Sequence, residues 1–241
     1  MTHLTSDTFF NGRISIKQPA SGYRFSIDAV ILGNLAEVSA KDRVLDIGTG
    51  CGVIPLILRC RHPGLGHVFG AEIQEELAQA ASQNAADNRM NDQITILRKD
   101  IRSITPKDTA GRVDAVVCNP PHFAEKTGRI NPDSQRAMAR HEIAMTLSDL
   151  ASAASGMLPA GGKLALIYPC ERLADLVTVM RNHGIEPKKL RMIHPCPDTL
   201  AMRVLAHCIK GKPPGMIIDP PLYIRTSSGD YSGETSAMFS P

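Results

Sequence analysis

The chain has 241 residues, of which 43% are hydrophobic and 21% charged, a composition that is ordinary for a globular protein. No segment approaches the roughly 18 uninterrupted apolar residues of a membrane-spanning helix, and the N-terminal sequence lacks the apolar stretch of a signal peptide, so we expect a cytoplasmic protein. The net charge of +3 permits a polyanionic partner without requiring one.

Short apolar runs alternate with helical patterns along most of the chain. The runs that predict β-strands lie at residues 43–47, 67–72, 93–100, 113–120, 163–169, 188–195 and 202–210. The stretches that predict helices lie at 53–60, about 74–90, about 144–158 and 171–184. Because strands that alternate with helices form right-handed βαβ units, we expect a parallel sheet that is covered on both faces.

The last two predicted strands, 188–195 and 202–210, have no helix between them. A connection this short allows only an antiparallel pair. The predicted fold is therefore α/β, with a Rossmann-like, doubly wound sheet of seven strands that is mostly parallel and whose last strand is antiparallel.

The pattern predicts three parts. Residues 1–40 form an N-terminal extension that packs on the core, in which the amphipathic segment 26–38 covers the edge of the sheet. Residues 41–212 form the domain that carries the sheet and the predicted site. Residues 213–241, rich in proline and glycine, form a C-terminal appendage, either a strand or a loop, with a flexible end.

Six scattered cysteines show no C-x-x-C spacing, so we interpret them as reduced, mostly packed thiols. The dipeptide His141-Glu142 begins like an H-E-x-x-H zinc motif, but Met145 stands where the second histidine is required. We therefore expect no metal site.

The sequence D-I-G-T-G-C-G follows the first predicted strand and leads into a helix. Glycines at 48, 50 and 52 allow a tight turn and let a ligand approach the backbone closely. A glycine-rich turn is also found in dinucleotide-binding proteins, but those use G-x-G-x-x-G, and the basic residues expected beside a pyrophosphate are missing here. The strand residue Asp46 precedes the turn.

Two further acidic residues close the next two predicted strands. Glu72 is placed to accept hydrogen bonds from a ribose diol, and Asp100 to accept one from an adenine amino group while Ile101 packs on the ring. The alternative for both acids is an ordinary solvated charge. Since the carboxyl ends of parallel strands share one edge, Asp46, Glu72 and Asp100 describe a crevice for an adenosine with a cationic tail, such as S-adenosylmethionine.

The fourth predicted strand runs into Asn119-Pro120-Pro121-His122-Phe123. The prolines stiffen the backbone, and the Asn119 amide oxygen together with the Pro120 carbonyl can accept both hydrogens of one planar –NH2 group. An aromatic side chain beyond them can stack on a flat acceptor, a contact that contributes roughly 1–3 kcal/mol per base. The alternative is a rigid turn without chemistry.

Together these motifs resemble the class I S-adenosylmethionine-dependent amino-methyltransferases that carry (N/D)-P-P-(Y/F). More narrowly, nearly the whole chain resembles the bacterial tRNA(Val) adenine-N6-methyltransferase family. The segments that carry this resemblance are GYRFSIDAVILG (22–33), VLDIGTGCGVIPLIL (44–58), CNPPHF (118–123), RAMARHE (136–142), YPCERLADL (168–176) and PPLYIRTSSGDYS (220–232).

The resemblance implies a fold, a cofactor and a substrate: a Rossmann-like methyltransferase domain, S-adenosylmethionine, and an adenine of tRNA beside the anticodon. The implied cofactor-binding residues are Asp46, Gly48, Thr49, Gly50, Gly52, Glu72, Asp100, Ile101 and Asn119. The target amine is held by Asn119, Pro120 and Pro121. The family pattern has Tyr or Phe where this chain has His122, so either His122 or Phe123 stacks on the base.

Three other functions fit part of the pattern. Guanine N2 of rRNA and the amide of a protein glutamine are amines that the same clamp accepts, although glutamine methylation would be expected to need a helical recognition domain before the sheet. The third is a cofactor-binding module without catalysis, which the intact Asn119 argues against.

Two groups of basic residues are candidates for phosphate contacts, with ordinary solvated charges as the alternative. The first, Lys126, Arg129, Arg136 and Arg140, lies between Glu125 and His141, directly after the acceptor loop. The second comprises Lys188, Lys189, Arg191, Lys210 and Lys212.

Overall fold

The computed structural model describes residues 4–19, 25–120 and 145–240. The strands are β1 (Leu4–Phe9), β2 (Ile14–Pro19), β3 (Val44–Ile47), β4 (Val68–Glu72), β5 (Ile94–Arg98), β6 (Ala115–Cys118), β7 (Lys163–Pro169), β8 (Ile185–His194), β9 (Arg203–Lys210) and β10 (Ile217–Tyr223). The helices are α1 (Ile27–Leu35), α2 (Val53–Arg61), α3 (Glu75–Asp87), α4 (Leu147–Met157), α5 (Leu173–Asn182) and α6 (Gly233–Ala237). None of the described helices is long and apolar enough to cross a membrane.

The central sheet confirms the predicted α/β class, and its strand order is β10-β8-β9-β7-β6-β3-β4-β5. The reversed strand is β9, as predicted for residues 202–210, and it pairs antiparallel with both β7 and β8. Within the described residues, however, the sheet has eight strands. The prediction of seven strands missed β10. Because β10 starts at the end of the sheet where β9 finishes, it runs opposite to β9 and pairs parallel with β8.

The central strands are buried on both faces, and two hydrophobic clusters fill the two sides of the sheet. One cluster joins α1 and α2 to residues such as Val44 and Val117, and the other joins α4 and α5 to residues such as Leu45 and Val116. This arrangement follows from period-two alternation, since successive side chains of a strand point to opposite faces.

Helix α1 was expected to cover the edge of the sheet, and that prediction is wrong. Six successive residues, from Asp28 to Gly33, are buried, so α1 is enclosed between its neighbours on one face of the sheet. Gly33 permits the close contact with α2, because a Cβ there would lie 2.9 Å from Cγ2 of Ile57.

The N-terminal hairpin and the C-terminal segment pack against each other. Strands β1 and β2 form a separate two-stranded antiparallel sheet. Phe9 stacks on Phe239 with ring centroids 5.8 Å apart, and the Phe10 amide donates to the Phe239 carbonyl at 3.1 Å. The C-terminal segment 233–240 is therefore anchored to the hairpin through Met238 and Phe239. The division into 1–40, 41–212 and 213–241, with a flexible end, stays a prediction.

Met238→Ala should destabilise the protein, because Met238 is only 4% exposed inside this contact and its removal leaves a cavity. We expect a loss of roughly 2–4 kcal/mol in the free energy of unfolding, measured by urea denaturation. The matched control is Met216→Ala, since Met216 is 44% exposed and should change the same quantity by less than about 0.5 kcal/mol. Equal losses in the two variants would contradict a packed C-terminal segment.

Candidate active site

Three neighbouring strands end level with one another. In the parallel register, Ile47 at the end of β3 lies opposite Ala71 of β4 and Cys118 of β6. The residues that follow these positions are the glycine turn, Glu72 and Asn119. The sheet therefore brings them to one carboxyl edge, the place where open α/β sheets bind ligands.

The turn after β3 depends on its glycines. Gly48, Gly50 and Gly52 have φ angles of +71°, +57° and +83°, values that residues with a side chain rarely adopt. A Cβ added to Gly52 would lie 3.2 Å from the Cβ of Ala81, whereas one added to Gly48 would meet nothing within 4 Å. The turn thus rests on α3 at Gly52 and faces open space at Gly48.

Glu72 holds this turn from the neighbouring strand. Its carboxylate is almost fully buried and accepts the backbone N–H of Gly50 at 3.0 Å and that of Gln74 at 2.9 Å. Each oxygen keeps a lone pair after these bonds, because a carboxylate offers about four acceptor positions. Glu72 is thus a positioned acceptor and not a solvated charge.

Asp46 is fully buried in β3. Neither its carboxylate oxygens nor the Thr49 hydroxyl makes a hydrogen bond of ordinary geometry in the described structure. Burial raises the pKa of Asp46 to about 8; the nearby Thr49 hydroxyl opposes this rise, and the Glu72 carboxylate adds to it. A cationic ligand group beside Asp46 would favour its ionised form.

Asn119 follows β6 and is also buried, and its Oδ1 has no hydrogen-bond partner in the described structure. Pro120, the next residue, is buried as well. A buried acceptor without a donor typically costs about 1–3 kcal/mol, so Asn119 is suited to a ligand that brings N–H groups. Pro121, His122 and Phe123 lie outside the described residues.

Asp100 comes after β5, but its carboxylate is already engaged. It accepts the backbone N–H of Arg102 at 2.9 Å as the N-cap of a 3-10 turn (Ile101–Ser103), and it pairs with the Arg102 guanidinium. That guanidinium lowers the pKa of Asp100. Ile101 is buried beside it.

Comparison with known proteins identifies the family to which the chain belongs. The family model described as the methyltransferase small domain matches residues 27–171. The chain belongs to this methyltransferase family. It is also 34% identical, over 249 aligned residues, to the tRNA1(Val) (adenine(37)-N6)-methyltransferase of Porphyromonas gingivalis, an alignment that spans 99% of this chain and 95% of the relative.

Solved methyltransferases share the fold. A predicted O-methyltransferase of Agrobacterium tumefaciens superposes with a TM-score of 0.69 at 22% identity, covering 88% of this chain and 94% of that one. A geranyl diphosphate C-methyltransferase of Streptomyces coelicolor, solved with S-adenosyl-L-homocysteine, gives 0.52 at 15% identity, covering 75% and 73%. The chain is an enzyme with a Rossmann-like fold and S-adenosylmethionine as its cofactor.

Sequence reasoning missed two buried polar residues of this methyltransferase near the site. Asn84 of α3 is fully buried and donates to the carbonyl of Cys51 in the glycine turn. Tyr168 of β7 is buried with Arg172 over its ring, and its hydroxyl has no partner in the described structure. For Asn84 the available signal was the pair of asparagines four residues apart, Asn84 and Asn88, in the predicted helix at about 74–90.

Three members of the second basic group, Lys189, Arg191 and Lys210, are engaged within the protein, which makes them weaker candidates for RNA contact. Lys189 forms an ion pair with Glu37 at 2.6 Å, and Arg191 forms a bidentate ion pair with Glu234. Lys210 donates to backbone carbonyls. The first basic group, between Glu125 and His141, lies outside the described residues.

Asp46→Asn should change how stability depends on pH. Between about pH 4, the pKa of an aspartate in the unfolded chain, and about pH 8, its pKa in the folded protein, only the folded protein keeps the Asp46 proton. The free energy of unfolding of the wild type is therefore highest below about pH 4 and falls as the pH rises through about 8. The advantage of the variant over the wild type should therefore grow across this window, by at most about 1.4 kcal/mol per pH unit. Urea denaturation at pH 5 and pH 8 measures it.

Asp92→Asn removes the same charge from an exposed turn and controls for net charge. If the wild type and Asp46→Asn gave parallel curves of unfolding free energy against pH, Asp46 would not be a buried neutral acid.

Proposed function

We propose that this methyltransferase transfers the methyl group of S-adenosylmethionine to N6 of an adenine in tRNA, in the cytoplasm. The named relative, aligned over 99% of the chain, is the first support. The observation that carries the proposal is the buried, unpartnered Oδ1 of Asn119 beside the cofactor turn, because an exocyclic amine supplies the missing donor.

The site has the properties that the cofactor requires. Its unpartnered Asp46 oxygens suit a cationic amino acid tail, its anchored Glu72 suits a ribose diol, and the space in front of Gly48 admits a ligand close to the backbone. When bound, S-adenosylmethionine supplies an electrophilic methyl group on a sulfonium centre. The residues that we assign to the cofactor are Asp46, Gly48, Thr49, Gly50, Gly52, Glu72, Asp100 and Ile101. Asn119, which the resemblance implies for both cofactor and acceptor, is assigned here to the acceptor.

Asp100 enters this assignment with a narrower role than the sequence implied. Its carboxylate already binds Arg102, so it would offer an adenine amino group only the acceptor positions that Arg102 leaves. Ile101 would pack on the adenine ring.

The acceptor is held by hydrogen-bond acceptors and not by a base. Asn119 Oδ1 and the Pro120 carbonyl would each accept one hydrogen of the –NH2 group, which withdraws the nitrogen lone pair from conjugation with the ring. Pro121 would stiffen the loop, and His122 or Phe123 would stack on the base. The methylated amine is acidic enough to lose its proton to water, so catalysis depends on positioning and electrostatics.

The RNA itself would be bound through phosphates. We assign these contacts to the basic residues between Glu125 and His141, which follow the acceptor loop in sequence. An adenine in an anticodon loop is already partly exposed, so bringing it into the site requires less unstacking than from a duplex.

Asn119→Ala should abolish transfer, because it removes one of the two acceptors that orient the amine. We expect a loss on the order of 10³-fold in kcat, by analogy with the removal of a positioned catalytic hydrogen-bonding group. Affinity for S-adenosylhomocysteine, measured by calorimetry, should stay nearly unchanged. The matched control is Asn119→Asp, which keeps an acceptor oxygen and should retain part of the activity. Loss of both activity and cofactor binding in Asn119→Ala would assign the residue to the fold.

The acceptor is identified by tritiated methyl transfer to bulk tRNA, rRNA and protein from cells that lack the enzyme, followed by nucleoside analysis. We expect label in tRNA as N6-methyladenosine. Label in N2-methylguanosine of rRNA or in a protein glutamine would replace the proposed substrate. No transfer to any fraction, together with normal cofactor binding, would favour a non-catalytic module.

A further inference from the structure

The N-terminal hairpin is held at its outer edge by side chains of α3 instead of by another strand. Asn88, which caps α3, accepts the Ser15 N–H at 2.9 Å and donates to the Ser15 carbonyl at 2.7 Å. Asn84 repeats this pairing with Lys17, at 2.8 Å for both bonds. Each asparagine amide thus satisfies the donor and the acceptor of one strand residue.

The spacing explains why two asparagines can do this. Four residues of α-helix rise about 6.0 Å, and two residues of β-strand advance about 6.8 Å. Asn84 and Asn88 therefore lie almost level with Lys17 and Ser15. Both pairs act as rungs of a ladder, and α3 takes the place of a third strand.

The second amide hydrogen distinguishes the two residues. In Asn88 it is donated to the carbonyl of Asn84 within the helix, at 2.7 Å. In Asn84 it is donated to the carbonyl of Cys51, at 2.9 Å. Asn84 thus binds the hairpin and the glycine turn with a single amide nitrogen, in a fully buried position.

The peptide unit between Cys51 and Gly52 is fixed at both ends as a result. The Asn84 amide donates to the Cys51 carbonyl, and the Gly52 N–H donates to the carbonyl of Thr49 at 2.9 Å. The adjacent contact of Gly52 with Ala81, one turn before Asn84 on α3, closes the same side of the turn. The orientation of the turn that faces the ligand space therefore depends on α3.

We infer that Asn84 is a positioning residue that couples docking of the N-terminal hairpin to cofactor binding at the glycine turn. This inference rests on the proposed cofactor site. Coupling of this kind is reciprocal, so a ligand that orders the turn also stabilises the docked hairpin, and a loosened hairpin weakens the ligand.

Asn84→Ala and Asn88→Ala form a matched pair, since each removes two hydrogen bonds to β2 but only Asn84→Ala frees the Cys51 carbonyl. Loss of the buried bond to Cys51 should weaken S-adenosylhomocysteine binding by roughly tenfold in Asn84→Ala. Asn88→Ala loosens the hairpin but keeps that bond, so it should weaken binding by only about two- to threefold. In transfer assays, Asn84→Ala should raise KM for S-adenosylmethionine and leave kcat nearly unchanged. Equal weakening in both variants, or unchanged binding in folded Asn84→Ala, overturns the coupling.

A second measurement follows the hairpin directly. Amide hydrogen exchange of the hairpin, residues 4–19, should slow in the wild type when S-adenosylhomocysteine is added. The slowing should persist in Asn88→Ala and disappear in Asn84→Ala, while unchanged exchange in the wild type overturns the inference. Wild-type protein that binds no S-adenosylhomocysteine in calorimetry instead removes the proposed cofactor site, and the coupling with it.

Discussion

The site depends on one constraint, which is that the chain must pass from β3 into α2 within five residues while it packs on α3. Gly48, Gly50 and Gly52 make this possible because their φ angles are positive. The carbonyl of Ala71 and the carboxylate of Glu72 then take up the N–H groups of the turn, so β4 fixes its position. The turn faces open space at Gly48, and the register places the buried, unpartnered acceptors Asp46 and Asn119 at the same edge of the sheet.

The parallel core was predictable because its signals are local and repeated: short buried strands, helices between them, and a register that brings their ends together. The hairpin β1–β2 was not predicted, since LTSDTF and ISIKQP are short and its outer edge is satisfied by distant asparagines. Strand β10 was not separated from the tail, because IIDPPLY contains two prolines that argue against a strand inside a sheet. Tertiary contacts decide both elements.

The candidate site was predictable to a similar degree. Asp46, Glu72 and Asn119 could be placed at one edge from the strand pattern, and the register brings them there. The engagement of Asp100 by Arg102 depends on a 3-10 turn that periodicity does not reveal. Asn84 was overlooked because an asparagine in an alanine-rich helix looks solvated, and only the packing of the hairpin shows that it is buried.

The outer edge of the large sheet has a property of its own. Among the described strands, only β8 borders β10. The register of this pair shifts between Asp219 and Leu222, around two exposed prolines. Pro220 and Pro221 carry no amide hydrogen, so a foreign strand that approached this border would find too few donors to build a ladder. Because the two prolines interrupt the hydrogen-bonding edge of β10, they discourage edge-to-edge aggregation. Ile217 and Ile218 can therefore remain exposed to water next to them.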